Sequence, residues 1–346
     1  MRTATLNIGT NMYAYVMAGR NHVSMVADLL TSAINQNVTK WHLAPALTEV
    51  ERRVIQWAAE LVGYPVPAGG AIVSSGSAAN LTGLNVGRNV FLERYGVRSK
   101  GLFGMAPCIV YASTETHNGI DKSVDVLGIG SDNLRKIPVG ADQRIDTAAL
   151  REAISRDREA GLTPFCVVGN AGTVNTGAVD PLSELADICR DNALWFHIDG
   201  AYGGLASALG ELKSTYAGLD RADSLALDFH KWLYQPFEIG CTLVKNWEQL
   251  RQTFQRKAAY LDTDGGNVGR FDINDHHFQL SRSGKALKVW VSLKAYGAER
   301  FREMIRKDIA LREYLCAQME ASTDFQVVSH GNLGIATFRY LGTGGG

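Results

Sequence analysis

The sequence predicts an α/β fold, with a mostly parallel central sheet flanked by helices and a smaller α+β region after it. Two observations carry this expectation. Short, near-continuous apolar runs recur between residues 71 and 245, with helical periodicity between most of them. Strands covered on both faces lose the in–out alternation of a half-exposed sheet, so continuous runs point to a buried parallel one. After residue 284 the alternation gives way to one long helical pattern, which marks a change of architecture.

In chain order, segments 22–38 and 46–62 carry apolar residues at helical spacing. The second, "TEVERRVIQWAAELVGY", stops at Gly63 and Pro65, residues that terminate helices. The predicted strands are "AIV" (71–73), "CIVYAS" (108–113), "LRKIPV" (134–139), "FCVVGN" (165–170), "LWFHID" (194–199), "SLALDF" (224–229) and "GCTLVK" (240–245). Helical patterns at 77–95, 117–127, 146–160 and 181–191 supply the crossovers that parallel strands require. A helix over 284–318 and the runs "FQVVS" and "GIATFRY" follow. The expected regions are therefore a helical 1–62, a large domain 63–284 and a small C-terminal domain 285–346.

Composition bounds the function. The 346 residues are 46% hydrophobic and 20% charged, with 35 basic and 35 acidic side chains. Zero formal charge leaves no electrostatic footprint for nucleic acid or a membrane surface. Five scattered cysteines, mostly inside apolar runs, read as buried thiols in a reducing compartment. With no apolar run approaching a membrane span and no secretory pattern at the N-terminus, the expected location is the cytoplasm.

Open α/β sheets bind ligands at the carboxyl ends of their strands, and three motifs fall there. In "VSSGSAANLTGL" a strand leads through Ser75, Gly76 and Ser77 into a helix; small residues, hydroxyls and a helix N-terminus suit a single phosphate, or merely cap the helix. Asp199 ends a strand in "LWFHIDGAYGG", where a carboxylate either caps a turn or pairs with a cationic ring nitrogen. A metal is disfavoured, because His197 has no second ligand cluster beside it. Lys231 follows the next strand in "DSLALDFHKWLY". A lysine buried among aromatic groups has its cation disfavoured, which frees the amine for Schiff-base chemistry. Phosphate cradle, aspartate and amine together describe a pyridoxal phosphate site.

The ordered blocks "SSGSAAN", "THNGIDKS", "GNAGTVNTGAVDPL", "HIDGAYGG", "DSLALDFHKWLYQPFEIG" and "QLSRSGKALKVW" resemble the pyridoxal-phosphate-dependent amino acid decarboxylases of the aromatic-L-amino-acid and glutamate decarboxylase group. The resemblance implies an aspartate-aminotransferase-like (fold type I) architecture and a homodimer with a shared active site. It also implies decarboxylation of an L-amino acid, an aromatic one being favoured, to an amine. Lys231 would carry the cofactor, Asp199 would keep its ring nitrogen protonated, and His117 would stack on the ring. Ser75, Gly76 and Ser77 would hold the phosphate, helped by Asp228 or His230, while Thr173 and Ala201 would line the ring.

The chain also departs from the family pattern. It is expected to be shortened at both ends, with a short N-terminal segment and an incomplete small domain. The family's proton-donating tyrosine is expected in the loop 262–282, which reads as a mobile lid. No tyrosine stands between Asp262 and Arg282, so His276 is the expected proton donor, with His277 second. The rival readings are an aldehyde synthase, which couples decarboxylation to oxidative deamination, a carbon–carbon lyase and a catalytically silent homologue. A nicotinamide oxidoreductase fits poorly for want of the glycine fingerprint.

Overall fold

The computed structural model describes residues 9, 12–13, 15–256 and 271–342. Helices α1 (His22–Ile34) and α2 (Pro45–Val62) lead into β1 (Gly69–Val73) and α3 (Gly76–Phe91). The short α4 (Val97–Lys100), β2 (Cys108–Ser113), α5 (Gly119–Val126), β3 (Leu134–Ile137) and α6 (Thr147–Glu159) follow. Next come β4 (Thr163–Asn170), α7 (Leu182–Asn192), β5 (Trp195–Gly200), β6 (Ser224–Asp228), β7 (Gly240–Val244) and α8 (Trp247–Phe254). Helix α9 (Ala286–Glu320) and the strands β8 (Phe325–His330) and β9 (Ala336–Tyr340) complete the described residues.

Local chemistry sets the helix ends. Asn21, Ser75, Asp146 and Asn246 accept backbone N–H groups at the starts of α1, α3, α6 and α8, each such cap contributing about 1 kcal/mol. Gly63 closes α2 in left-handed backbone, φ 71°, as its place in the sequence predicts.

The large sheet has the order β1-β7-β6-β5-β4-β2-β3. The five strands from β3 to β6 are mutually parallel, and β7 runs antiparallel to both β6 and β1. Every residue of β2, β5, β6 and β7 is buried, as continuous apolar runs require. Each large aliphatic or aromatic side chain so buried contributes about 1.5–3 kcal/mol. All seven predicted strands form, with ends moved by at most two residues.

Three features differ from expectation. The helix predicted over 284–318 is broken at Gly297 (φ 73°, ψ 162°), a backbone conformation that favours glycine. Helix α8, "WEQLRQTF", buries only Leu250 and Thr253; two inward positions are too few to show periodicity. The expected boundaries at 62 and 285 cut through one core, in which Val54 and Ile55 of α2, Ile198, Leu225 and Leu227 of the sheet, and Val289, Phe301 and Ile305 of α9 pack together.

Candidate active site

Register gathers the site. Asn170, the last residue of β4, pairs with Asp199 of β5. Asp228 of β6 and Val73 of β1 both face Gly240 at the start of β7. The turn after β1 therefore lies beside the end of β6, so closely that a methyl on Gly240 would stand 2.7 Å from the Ser75 carbonyl carbon. The carboxyl ends of β1, β4, β5 and β6 thus meet over one cavity of about 220 Å3. Ser75, Gly76, Ser77, His117, Thr173, Asp199, Ala201, Asp228, His230 and Lys231 all line it, joined by Asn80, Asn170 and Tyr202. A larger cleft of about 530 Å3 between the turn at 141–144 and residues 331–332 is lined by neither a lysine nor a histidine; size alone does not select the site.

At the start of α3, the Gly76 N–H donates to Asp228 Oδ2 (3.0 Å) and the Ala78 N–H to Ser75 Oγ (3.3 Å). The Ser77 N–H and the Ser75 and Ser77 hydroxyl protons remain for an anion, with the partial positive charge of the helix end behind them. Asp228 therefore anchors this turn; a carboxylate repels a phosphate and does not assist in holding one. Its Oδ1 is buried without a hydrogen bond. His230 Nδ1 stands 2.8 Å from that oxygen, off the bonding direction, and the His230 ring packs on Phe237.

Asp199 is almost fully buried, and its two oxygens accept from Asn80 Nδ2 (2.9 Å) and the Ala201 N–H (3.1 Å). Each oxygen keeps a lone pair for a further donor. Ala201 is packed so tightly that a methyl on Gly76 would meet its Cβ at 2.7 Å. Thr173 Oγ1 is already bonded to Thr176 Oγ1 (2.8 Å) and accepts from the Ala178 N–H (3.2 Å), so it shapes the loop as well as the cavity. His117 is exposed at the mouth, its Nδ1 accepting from the Gly119 N–H (2.9 Å); that bond caps α5 and fixes the ring at once. Lys231 lies in the turn after β6 and is half-buried, not enclosed. Its neighbour Trp232 turns away to pack on Tyr202 and donates to Asp308 (3.1 Å).

His276 is not brought to this cavity. Its ring is buried, stacked on Phe271 and edge-on to Trp247, with Nδ1 2.9 Å from the Asp272 carbonyl. Burial pushes its pKa down, which favours the neutral ring at neutral pH. His277 is buried too, its pKa lowered to about 3 chiefly by desolvation. The lid expectation falls partly on residues 257–270, which lie outside the described residues, while from Phe271 onward the segment packs into the fold through Ile273, His276, His277 and Arg282. Tyr260 stands two residues before Asp262, likewise outside the described residues. The burial of both rings, away from the cavity, speaks against a histidine donor.

The residues fit pyridoxal phosphate: an amine with no ion pair among the described residues, a buried carboxylate with free lone pairs, and an anion cradle share one cavity. The profile of the pyridoxal-dependent decarboxylase conserved domain matches residues 4–341. The chain belongs to the pyridoxal-dependent decarboxylase family. It is 39% identical to aromatic-L-amino-acid decarboxylase of Bacillus atrophaeus over 95% of this chain and 67% of the relative. It is 30% identical to phenylacetaldehyde synthase of Arabidopsis thaliana over 96% of this chain and 68% of the relative. The crystal structure of Oryza sativa TDC with PLP and tryptamine superposes with a TM-score of 0.88 at 31% identity, covering 94% of this chain and 68% of that one. The chain thus spans about two thirds of the length of the relatives it matches.

This decarboxylase has the fold type I architecture, is a pyridoxal-phosphate-dependent carboxy-lyase and takes an amino acid as substrate. Asn80, Asn170 and Tyr202 line the cavity without standing in any of the sequence motifs' assigned roles. Asn80 had a signal: it is a polar residue on the helix face that carries Gly76 and Gly83, where a helix turns toward its sheet.

Proposed function

We propose that this decarboxylase converts an aromatic L-amino acid to the corresponding amine and CO2, acting as a homodimer in a reducing compartment, the cytoplasm. The observation that carries the residue roles is the meeting of Lys231, Asp199 and the Ser75–Ser77 turn on one cavity. Bound pyridoxal phosphate supplies the sink for the electrons left at Cα when CO2 departs. Lys231 would provide the amine that holds the cofactor. Asp199 keeps the ring nitrogen protonated by opposing it with a buried negative charge. His117 would cover the ring, and Ser77 and Ser75 would donate to the phosphate. The name of the 39%-identical relative supports the aromatic substrate. The dimer is supported by α1, whose Val26, Leu29, Leu30 and Ile34 are 67%, 71%, 49% and 49% exposed, an apolar stripe of the kind that marks interaction surfaces. Five buried, unpaired cysteines support the reducing compartment.

Borohydride reduction of the yellow holoenzyme followed by peptide mapping tests the site: the label is expected on Lys231, and label on another lysine overturns the assignment. Asp199→Asn is expected to retain cofactor at reduced affinity and lose most turnover. The rival reading, an aldehyde synthase, is favoured by the similarity to phenylacetaldehyde synthase. Product analysis under air separates the two, since the synthase yields aldehyde and peroxide in place of amine.

A further inference from the structure

Helix α3 is seated on the sheet through glycines. A methyl on Gly83 would stand 2.7 Å from His197 Cε1, and one on Gly87 would stand 2.8 Å from the Trp195 ring. This close approach lets Asn80, buried to 1% exposure, reach two residues of β5 at once. Asn80 Nδ2 donates to Asp199 Oδ2 at 2.9 Å, and its Oδ1 lies 2.8 Å from His197 Nε2. His197 Nδ1 is 2.8 Å from Ser224 Oγ, which accepts from Trp195 Nε1 at 2.9 Å.

The carboxylate end of this network sets the order of its protons. A carboxylate only accepts, so Asn80 turns its NH2 to Asp199 and its carbonyl to His197, whose Nε2 must then carry the hydrogen. An indole N–H only donates, so Ser224 Oγ accepts from Trp195, and with Nε2 protonated the neutral ring leaves Nδ1 to accept the Ser224 proton. The Asn80 contact selects the neutral Nε2–H tautomer of His197, and the Ser224 contact is compatible with it. Burial supports it by lowering the His197 pKa to about 4, against a smaller opposing pull from Asp199.

We propose that Trp195, Ser224, His197 and Asn80 form a positioning relay that holds the Asp199 carboxylate in its orientation toward the ring nitrogen of bound pyridoxal phosphate. The proposal rests on the role given to Asp199 above. Pinned through Oδ2, the carboxylate cannot rotate away when the cavity fills. A relay of neutral dipoles adds this constraint without adding charge. A histidinium two residues away on the same strand face would compete with the ring nitrogen for the carboxylate's field and lower the nitrogen's proton affinity. The glycines of α3 have a functional consequence in this view, since a helix held further out would not let Asn80 bridge.

The test uses the holoenzyme, with cofactor affinity from tryptophan quenching and the protonation of the ring nitrogen from a pH titration by 15N NMR of ring-labelled cofactor. Asn80→Ala and His197→Leu are expected to weaken cofactor binding about 10-fold, the scale seen when groups that orient a ligating side chain are removed. A 10-fold loss of proton affinity moves the ring-nitrogen midpoint about one pH unit lower. His197→Gln, whose amide offers a donor and an acceptor in the same order, is expected to restore both within about threefold. In an Asp199→Asn background, Asn80→Ala is expected to cause no further shift of the midpoint, because the relay acts only through Asp199. Ser224→Ala, which removes a single oxygen, carries the test if His197→Leu does not fold, and is expected to shift the midpoint in the same direction by less. Folded variants with the parent's affinity and midpoint overturn the relay while leaving the site assignment intact. A parent that takes up no cofactor at Lys231 overturns the site reading and the relay with it.

Discussion

His197 makes a second, independent prediction, about stability and acid. Its side chain is fully buried between α3 and β5, and desolvation holds its pKa at about 4 against an ordinary 6.5. The unfolded chain therefore binds a proton that the native protein does not as pH falls through 6.5. Because the folded pKa is the lower one, the stability this histidine contributes is full above pH 6.5 and declines as pH falls toward 4. Between pH 7 and pH 5 the unfolded imidazole goes from mostly neutral to almost wholly charged while the folded one stays neutral, which amounts to about 2 kcal/mol. His197→Gln keeps the hydrogen-bond pattern and cannot titrate. Urea unfolding of parent and variant at both pH values is the assay, and the parent is expected to lose about 2 kcal/mol more than the variant over this interval. Equal losses would mean that His197 is already charged, or exposed, in the native protein, and the tautomer argument would fall with it. His277, held at about 3, contributes in the same direction in both proteins and cancels from the comparison.

Gly83→Ala places a methyl 2.7 Å from the His197 ring; a loss of about 1–3 kcal/mol is expected, with weaker cofactor binding, and an unchanged melting temperature would show that α3 can lift without cost. Arg282 pairs with Glu51 at 2.6 Å, both nearly buried, so Arg282→Met should cost about 3–5 kcal/mol by stranding Glu51, while the double variant Glu51→Leu/Arg282→Met recovers most of that loss; additive losses in denaturant unfolding would contradict the pairing argument. Tyr260→Phe is expected to shift products from amine toward aldehyde and peroxide under air, whereas His276→Phe leaves the product ratio unchanged; the reverse pattern would return the proton donor to His276.

Most strands of the large sheet were legible because they are buried on both faces, so hydrophobicity alone marks them: "CIVYAS" is β2 residue for residue. The break at Gly297 was not, since a lone glycine inside a helical pattern is tolerated at modest cost. Helix α8 was hidden by its shortness. The domain boundaries read from pattern changes marked shifts in local architecture, yet α2 and α9 bury their apolar faces in the same core as the sheet, a tertiary fact that no window of sequence contains.

The site divides along the same line. Residues whose chemistry depends on their place at a strand end were readable, because the end of an apolar run marks that place: Ser75 follows β1, Asp199 lies near the end of β5, and Lys231 follows β6. Residues whose chemistry depends on what faces them were not. Asp228 reads as one more polar group near a phosphate until the structure shows the Gly76 N–H donating to it. His276 reads as an acid near neutral pH until Phe271 and Trp247 enclose its ring. Asn80 reads as one more polar helix residue, though its neighbours Gly76 and Gly83 share a face with it. A helix that places glycines at four-residue and three-residue steps either side of an asparagine presents bare backbone and one amide to whatever lies beneath. Bare backbone gives the helix no reason to face water, so the amide is carried into the interior and must find partners there. In this protein the partners are a carboxylate and an imidazole on one strand, and finding them fixes the orientation of both.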